Sequence, residues 1–177
     1  MLRGFGALSD DLAQHNLRAE VFVVGGAAMA LAYDARRVTR DIDAVFEPKA
    51  AVYAAAQRVA EELQLPEDWL NDAVKSFLPG DDPDRRVVFS TPSLEVAAAS
   101  PEYLLAMKLL ASRVDQDTGD IRALYSILGY TTAQQGVDLI ERFYPHRTLH
   151  PRIRFLLEEL YGSAVEHDPS EDPWKDR

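Results

Sequence analysis

Two aspartates, Asp41 and Asp43, flank one apolar residue in the run Asp41-Ile42-Asp43-Ala44-Val45-Phe46. In an extended strand side chains alternate with period two, so both carboxylates project from one face while Ile42 takes the other. Such a pair of hard oxygen donors suits Mg2+ or Mn2+, and Mg2+ keeps positions open for water and phosphate oxygens. Upstream, Val21-Phe22-Val23-Val24 runs into Gly25-Gly26, and Ala27–Ala32 follows as a run of helix formers. Glycines at such a turn let a phosphate approach the backbone. The helix that starts there offers unpaired N–H groups and the positive end of its dipole. Either half alone says little, because an Asp-x-Asp is often only solvated and a Gly-Gly often only turns the chain. The order strand, Gly-Gly, helix, Asp-x-Asp strand is more specific. A phosphate cradle beside a carboxylate pair is the equipment for metal-assisted nucleotidyl transfer.

These residues need a sheet to hold them. The β-branched, uniformly apolar run 21–24 predicts a strand buried on both faces. Further strands are expected at 41–46, 87–89 and 94–97, and helices at 9–18, 27–32 and 50–65, with Ser9 as a candidate N-cap and Leu12 and Leu17 facing inward. Residues 66–85 carry Pro66, Pro79, Gly80 and Pro83 and read as a loop. From Ser100-Pro101 onward, where Ser100 is an N-cap candidate, every periodic stretch is helical: 101–113, 117–128, 132–143 and 151–161. The expected fold class is α/β (α+β): a small mixed sheet flanked by helices, with an all-helical C-terminal half. The expected organisation is a catalytic core at 1–99, a helical domain at 100–163 and an acidic tail at 164–177 too polar to pack.

The chain of 177 residues is 47% hydrophobic and 27% charged, the balance of a soluble globular protein. It has no cysteine, which excludes disulfides and thiolate metal sites, and four scattered histidines do not make a zinc finger. The longest apolar run, Val21 to Tyr33, is too short to span a bilayer and no signal peptide is seen, so a cytoplasmic location is expected. The net charge is −10. Its field repels nucleic acid, so any RNA partner must meet a local basic patch.

The run VVGGAAMALAYDARRVTRDIDAVFEP resembles the Gly-Gly…Arg-x-Thr-x-Asp-x-Asp core of the DNA polymerase β-like nucleotidyltransferase superfamily. The later run PEYLLAMKLLASRVDQDTGDIRAL is similar to its AbiEii/MenT-like branch, in which a helical Lys precedes an Arg and then an Asp-x-x-Asp; the matching positions are Lys108, Arg113, Asp117 and Asp120. The resemblance covers about residues 20–130. It implies Asp41 and Asp43 as metal ligands, Lys108 and Asp120 as further active-site residues, and Gly25 and Gly26 as holders of an NTP triphosphate. It also implies an Mg2+-dependent enzyme that transfers a nucleotide, with the 3′ end of tRNA as acceptor. The setting it implies is that of a toxin controlled by a cognate antitoxin protein.

Read from the residues, Lys108 lies in the apolar helical run Leu104–Leu110 and either snorkels to water or faces phosphates. Asp120 is either an active-site group or an early-helix acid that complements the dipole. Asp117 reads as the N-cap of that helix with Arg113 as its ion-pair partner. Glu95, on an expected strand, either points to the metal as a third carboxylate or faces solvent. Arg36, Arg37 and Arg40 precede the Asp-x-Asp strand, where Arg37 and Arg40 are candidates for nucleotide binding and Thr39 for support of the loop. The segment 142–154 holds Arg142, His146, Arg147, His150, Arg152 and Arg154 without one acid. Arg147, Arg152 and Arg154 are therefore candidates for RNA binding, or else for pairing with the acidic tail. The acidic surface keeps a second acceptor class open: a small cationic molecule such as an antibiotic, or a protein side chain. A non-catalytic binding protein on the same fold is the third reading.

Overall fold

The computed structural model describes residues 1–34, 41–74, 78–111 and 114–162, the last segment beginning with three residues described as backbone. Arg36, Arg37, Thr39, Arg40 and Arg113, and the acidic tail, lie outside the described residues. Among the described residues seven helices and five strands follow one another: α1 Leu2–Gln14, β1 Ala19–Val23, α2 Gly25–Ala32, β2 Ile42–Glu47, α3 Lys49–Leu63, β3 Leu70–Asn71, β4 Arg86–Ser90, β5 Leu94–Ala98, α4 Pro101–Ala111, α5 Val114–Leu128, α6 Ala133–Phe143 and α7 Pro151–Tyr161. The mixed α/β class is as expected.

The strands form one sheet in the order β3-β2-β1-β5-β4. The central strand β1 pairs with β2 antiparallel and with β5 parallel. Alternation then sorts the side chains. Ala19, Val21 and Val23 share the back face with Ile42, Ala44 and Phe46 and with Leu94, Val96 and Ala98, all of them buried. Helices α1 and α3 cover this face, and Phe5 of α1 meets the rings of Trp69 and Phe89. The front face carries Glu20 and Phe22, Asp43, Val45 and Glu47, and Glu95 and Ala97. The helical half reaches it through Tyr103 of α4, whose ring stands edge-on to Phe22 at 5.4 Å and to Phe143 of α6 at 5.8 Å.

Several boundaries differ from expectation for identifiable reasons. Helix α1 begins at Leu2, because Phe5 and Leu8 continue the apolar stripe that ends at Leu12. Ser9 is therefore not an N-cap but sits buried inside α1, its hydroxyl 2.8 Å from that of Thr91, and Leu17 is exposed. Strand β1 is not buried on both faces: Glu20 is exposed and Phe22 only half-buried. The loop 66–85 contains the short strand β3, which adds to β2 in parallel. Ser100 does cap α4, its hydroxyl accepting from the Tyr103 N–H at 3.3 Å.

Candidate active site

The parallel strands β1 and β5 end side by side, and antiparallel β2 begins at that same end. There the Val24 N–H donates to the Asp43 carbonyl at 2.9 Å, and the Ala99 N–H donates to the Val23 carbonyl at 2.9 Å. The N-termini of α2 and α4 and the carboxylate of Asp43 are thereby delivered to one edge of the sheet.

Both glycines lie within α2 as its first two residues, rather than in a turn ahead of it. No side chain caps this helix end and no acid occupies its first turn. By helix geometry its first N–H groups have no partner within the helix. Gly25 adopts φ +62, the left-handed region that glycine enters without cost. A Cβ at Gly25 would stand 3.3 Å from Asp43 Oδ2. The glycine is thus what lets the Asp43 carboxylate come up against the start of α2. Part of that contact is structural, since an acid at a helix N-terminus complements the dipole.

Asp43 is half-buried on the front face, and Asp41 is exposed one residue before the β2 ladder. Extended backbone sets residues two apart at about 6.6 Å along the chain, a spacing that one cation can bridge. Among the described residues no three His, Asp or Glu side chains converge as a ready-made metal nest. That donor set fits Mg2+, which takes one or two carboxylates and completes its shell with phosphate oxygens and water.

A second cluster forms between α4 and α5. Lys108 Nζ lies 2.7 Å from Asp117 Oδ1 and 2.5 Å from Asp120 Oδ2. Side-chain exposures of 11%, 16% and 7% make this a nearly buried triad. Lys108 does not snorkel to water. Asp117 does not cap α5, which starts at Val114; its carboxylate is turned to Lys108 instead. The two carboxylates hold Lys108 Nζ in a fixed place.

Glu95 is not placed as a third carboxylate beside Asp43. The register pairs Glu20 with both Glu95 and Glu47, and Glu47 lies four residues along β2 from Asp43. That separates the two levels by about 13 Å along the strands. Glu20, Glu47 and Glu95 instead form a row across the front face, where they line a cavity of about 320 Å3 floored by Phe22 and Val45. Nothing singled this row out in advance except the alternation of Glu20 with Phe22, because only pairing aligns acids from three distant segments.

The basic segment is sorted by its contacts. Arg142 is committed to Glu102 and lies over the Phe143 ring. Arg154 is 3.6 Å from Glu141, with both side chains at least half-exposed. Arg147 lies over the Tyr144 ring at 5.8 Å. His150 caps α7, its Nδ1 accepting from the Arg152 N–H at 3.2 Å. Burial pushes the Tyr144 hydroxyl up to about 12, against the opposing charge of Arg147.

Residues 3–131 match the model of a protein family described as "Nucleotidyltransferase of unknown function (DUF6036)". No curated protein and no solved structure matched the chain. Among the described residues no helix is long and apolar enough to cross a membrane.

Proposed function

The chain belongs to that nucleotidyltransferase family, and on this premise we propose that it transfers a nucleotide from an NTP to an acceptor hydroxyl at the Gly25–Asp43 edge of the sheet. The observation that carries this reading is the closeness of Asp43 to the start of α2, where Gly25 holds φ +62 and a Cβ would stand only 3.3 Å from Asp43 Oδ2. It sets a carboxylate for a cation beside unpaired N–H groups for a phosphate, as phosphoryl chemistry requires.

In this reading the first N–H groups of α2 hold the triphosphate, and Asp41 and Asp43 hold Mg2+ (or Mn2+). That metal would supply positive charge to offset the negative charge that develops on the phosphate oxygens. The acceptor oxygen bonds to the α-phosphorus, the bond from that phosphorus to the bridging oxygen breaks, and pyrophosphate leaves with the electron pair. The acceptor's proton passes to solvent or to a nearby carboxylate. Lys108 faces the phosphates as a fixed charge, and Asp117 and Asp120 orient it. Arg37 and Arg40 belong to the same proposal as further phosphate ligands from the segment that leads into Asp41.

For the acceptor, the AbiEii/MenT-like resemblance of 101–124 supports the 3′ end of tRNA, in the role of a toxin restrained by an antitoxin. A second reading has its own observation: the acid-lined cavity on the front face favours a small cationic acceptor. One experiment tests both. The protein is incubated with each α-labelled NTP, Mg2+ and either total RNA or a panel of cationic small molecules. Labelled RNA supports the first reading and a labelled small molecule the second. Asp43→Ala, melting within a few degrees of the parent, abolishes labelling. Full activity in that variant would refute the metal assignment.

A further inference from the structure

We propose, resting on the transferase reading above, that Asn71 is a nucleotide-binding residue whose side-chain amide donates to a phosphate oxygen of an NTP seated against Asp43.

Strand β3 has only two residues, and both pair at the end of β2 that carries the candidate site. Leu70 lies opposite Ile42 and Asn71 opposite Asp43, in parallel. Residues paired across neighbouring strands project to the same side of a sheet. Leu70 is buried with Ile42 on the back face, so Asn71 stands with Asp43 on the front, one strand spacing or about 4.8 Å away. On the other side of Asp43, the Val24 N–H donates to the Asp43 carbonyl, and α2 begins with the next residue. The start of α2, Asp43 and Asn71 therefore follow one another across one edge of the sheet. A triphosphate held by the first N–H groups of α2 and brought against Asp43 has Asn71 at its far flank.

The neighbours of Asn71 hold it in place. Trp69 is buried, and its indole N–H donates to the Ala56 carbonyl at 3.0 Å. The Trp69 carbonyl in turn accepts the Ile42 N–H at 2.8 Å, which ties the start of β3 to β2. On the following side, Asp72 accepts from the Tyr53 hydroxyl and pairs with Lys49, both on α3. Backbone anchored on both sides has already lost most of its freedom on folding. A ligand contact made by Asn71 therefore costs less ordering than one made by a loose loop.

The side chain's own contact decides which end of the amide remains for a ligand. Asn71 Oδ1 accepts the Ala73 N–H at 3.3 Å, and a backbone N–H can be met only by the amide oxygen. The half-buried side chain has no hydrogen-bond partner for Nδ2 among the described residues. Two N–H donors are left beside the Asp43 carboxylate. Donors and a carboxylate divide the work of a phosphate site. The carboxylates of Asp41 and Asp43 attract a cation, and a neutral amide meets phosphate oxygens without the repulsion that a third acid would add.

The test is calorimetric titration of each α,β-methylene NTP, which binds but cannot release pyrophosphate, in the presence of Mg2+. The proteins are the parent, Asn71→Ala and Asn71→Asp. The aspartate keeps an acceptor for the Ala73 N–H, and so keeps the turn, but replaces both donors with a charged oxygen. Thermal melts of both variants are expected within a few degrees of the parent. Asn71→Ala is expected to bind about 10-fold more weakly or worse, the loss of one hydrogen bond to a charged group. Asn71→Asp is expected to bind more weakly still, because a carboxylate then faces the phosphate. Parent affinity in Asn71→Ala overturns the proposal and leaves the side chain as a turn former. An Asn71→Asp that binds more tightly than Asn71→Ala also overturns it, because the group then acts through its oxygen. In both cases the transferase reading stands, since the parent binds. A parent that binds no NTP refutes that reading and the proposal with it.

Discussion

Gly25→Ala isolates the feature on which the candidate site depends. Two costs enter. The backbone at Gly25 has φ +62, and an L-residue held in that region costs about 1–2 kcal/mol. For a chain of this size that lowers Tm by roughly 2–8 °C. The second cost is local, because the new methyl stands 3.3 Å from Asp43 Oδ2, a contact tight enough to displace the carboxylate by a few tenths of an ångström. Since a misplacement of about 1 Å can cost about 100-fold, a displacement of a few tenths is expected to lower transfer by roughly 3- to 10-fold. Gly129→Ala separates the two costs. Gly129 has φ +67, and a Cβ there meets nothing within 4 Å. It therefore bears the same backbone strain without touching the site. The assay compares thermal melts and labelled-NTP transfer for both variants below their melting temperatures. Similar losses of Tm are expected, with a loss of transfer only in Gly25→Ala. A fully active Gly25→Ala, or equal loss of transfer in both variants, would refute the reasoning.

Lys108→Met removes the ammonium that contacts Asp117 and Asp120 in a nearly buried place, so it is expected to destabilise by about 3 kcal/mol, with Lys108→Met/Asp120→Asn recovering part of the loss. Urea unfolding of both checks this, and an unchanged midpoint for Lys108→Met would restore the snorkelling view. Gly136→Ala drives a methyl into the Tyr125 hydroxyl and to 2.9 Å from Leu157 Cδ1. It is expected to cost about 1–3 kcal/mol through overpacking of α5, α6 and α7, read as a lower Tm. Arg58 holds the Asp11 carboxyl below the ordinary aspartate value of 3.8, chiefly through its hydrogen bonds at 2.7 and 2.6 Å. A carboxyl depressed in the folded state contributes stability above its unfolded pKa and loses it as pH falls through the folded one. Arg58→Ala should therefore melt below the parent at pH 7, and the gap should close as pH falls below that value. A gap that persists in strong acid would contradict the linkage.

What the residues determine by themselves is local. Gly25-Gly26 after an apolar run and Asp41-Ile42-Asp43 opening another are neighbours in sequence order, and period-two alternation suffices to put Asp43 opposite Ile42. The second half of the chain is legible for the same reason. Ser100 caps α4, the Thr132–Gln135 capping box opens α6, and Pro151 stands at the first turn of α7, so each boundary is set within a few residues of itself. Pairing between distant segments is not local. The register of β1 with β2 and β5 aligns Glu20 with Glu47 and Glu95, and that alignment moved Glu95 away from Asp43 and built an acidic row that no spacing in the chain announces. The Lys108 triad has the same origin. Helical period shows that Asp117 and Asp120 share a face, but only the packing of α5 on α4 turns that face to Lys108 and shields it from water. Sequence spacing decides which groups an element presents, and tertiary packing decides which groups meet and how much water remains between them.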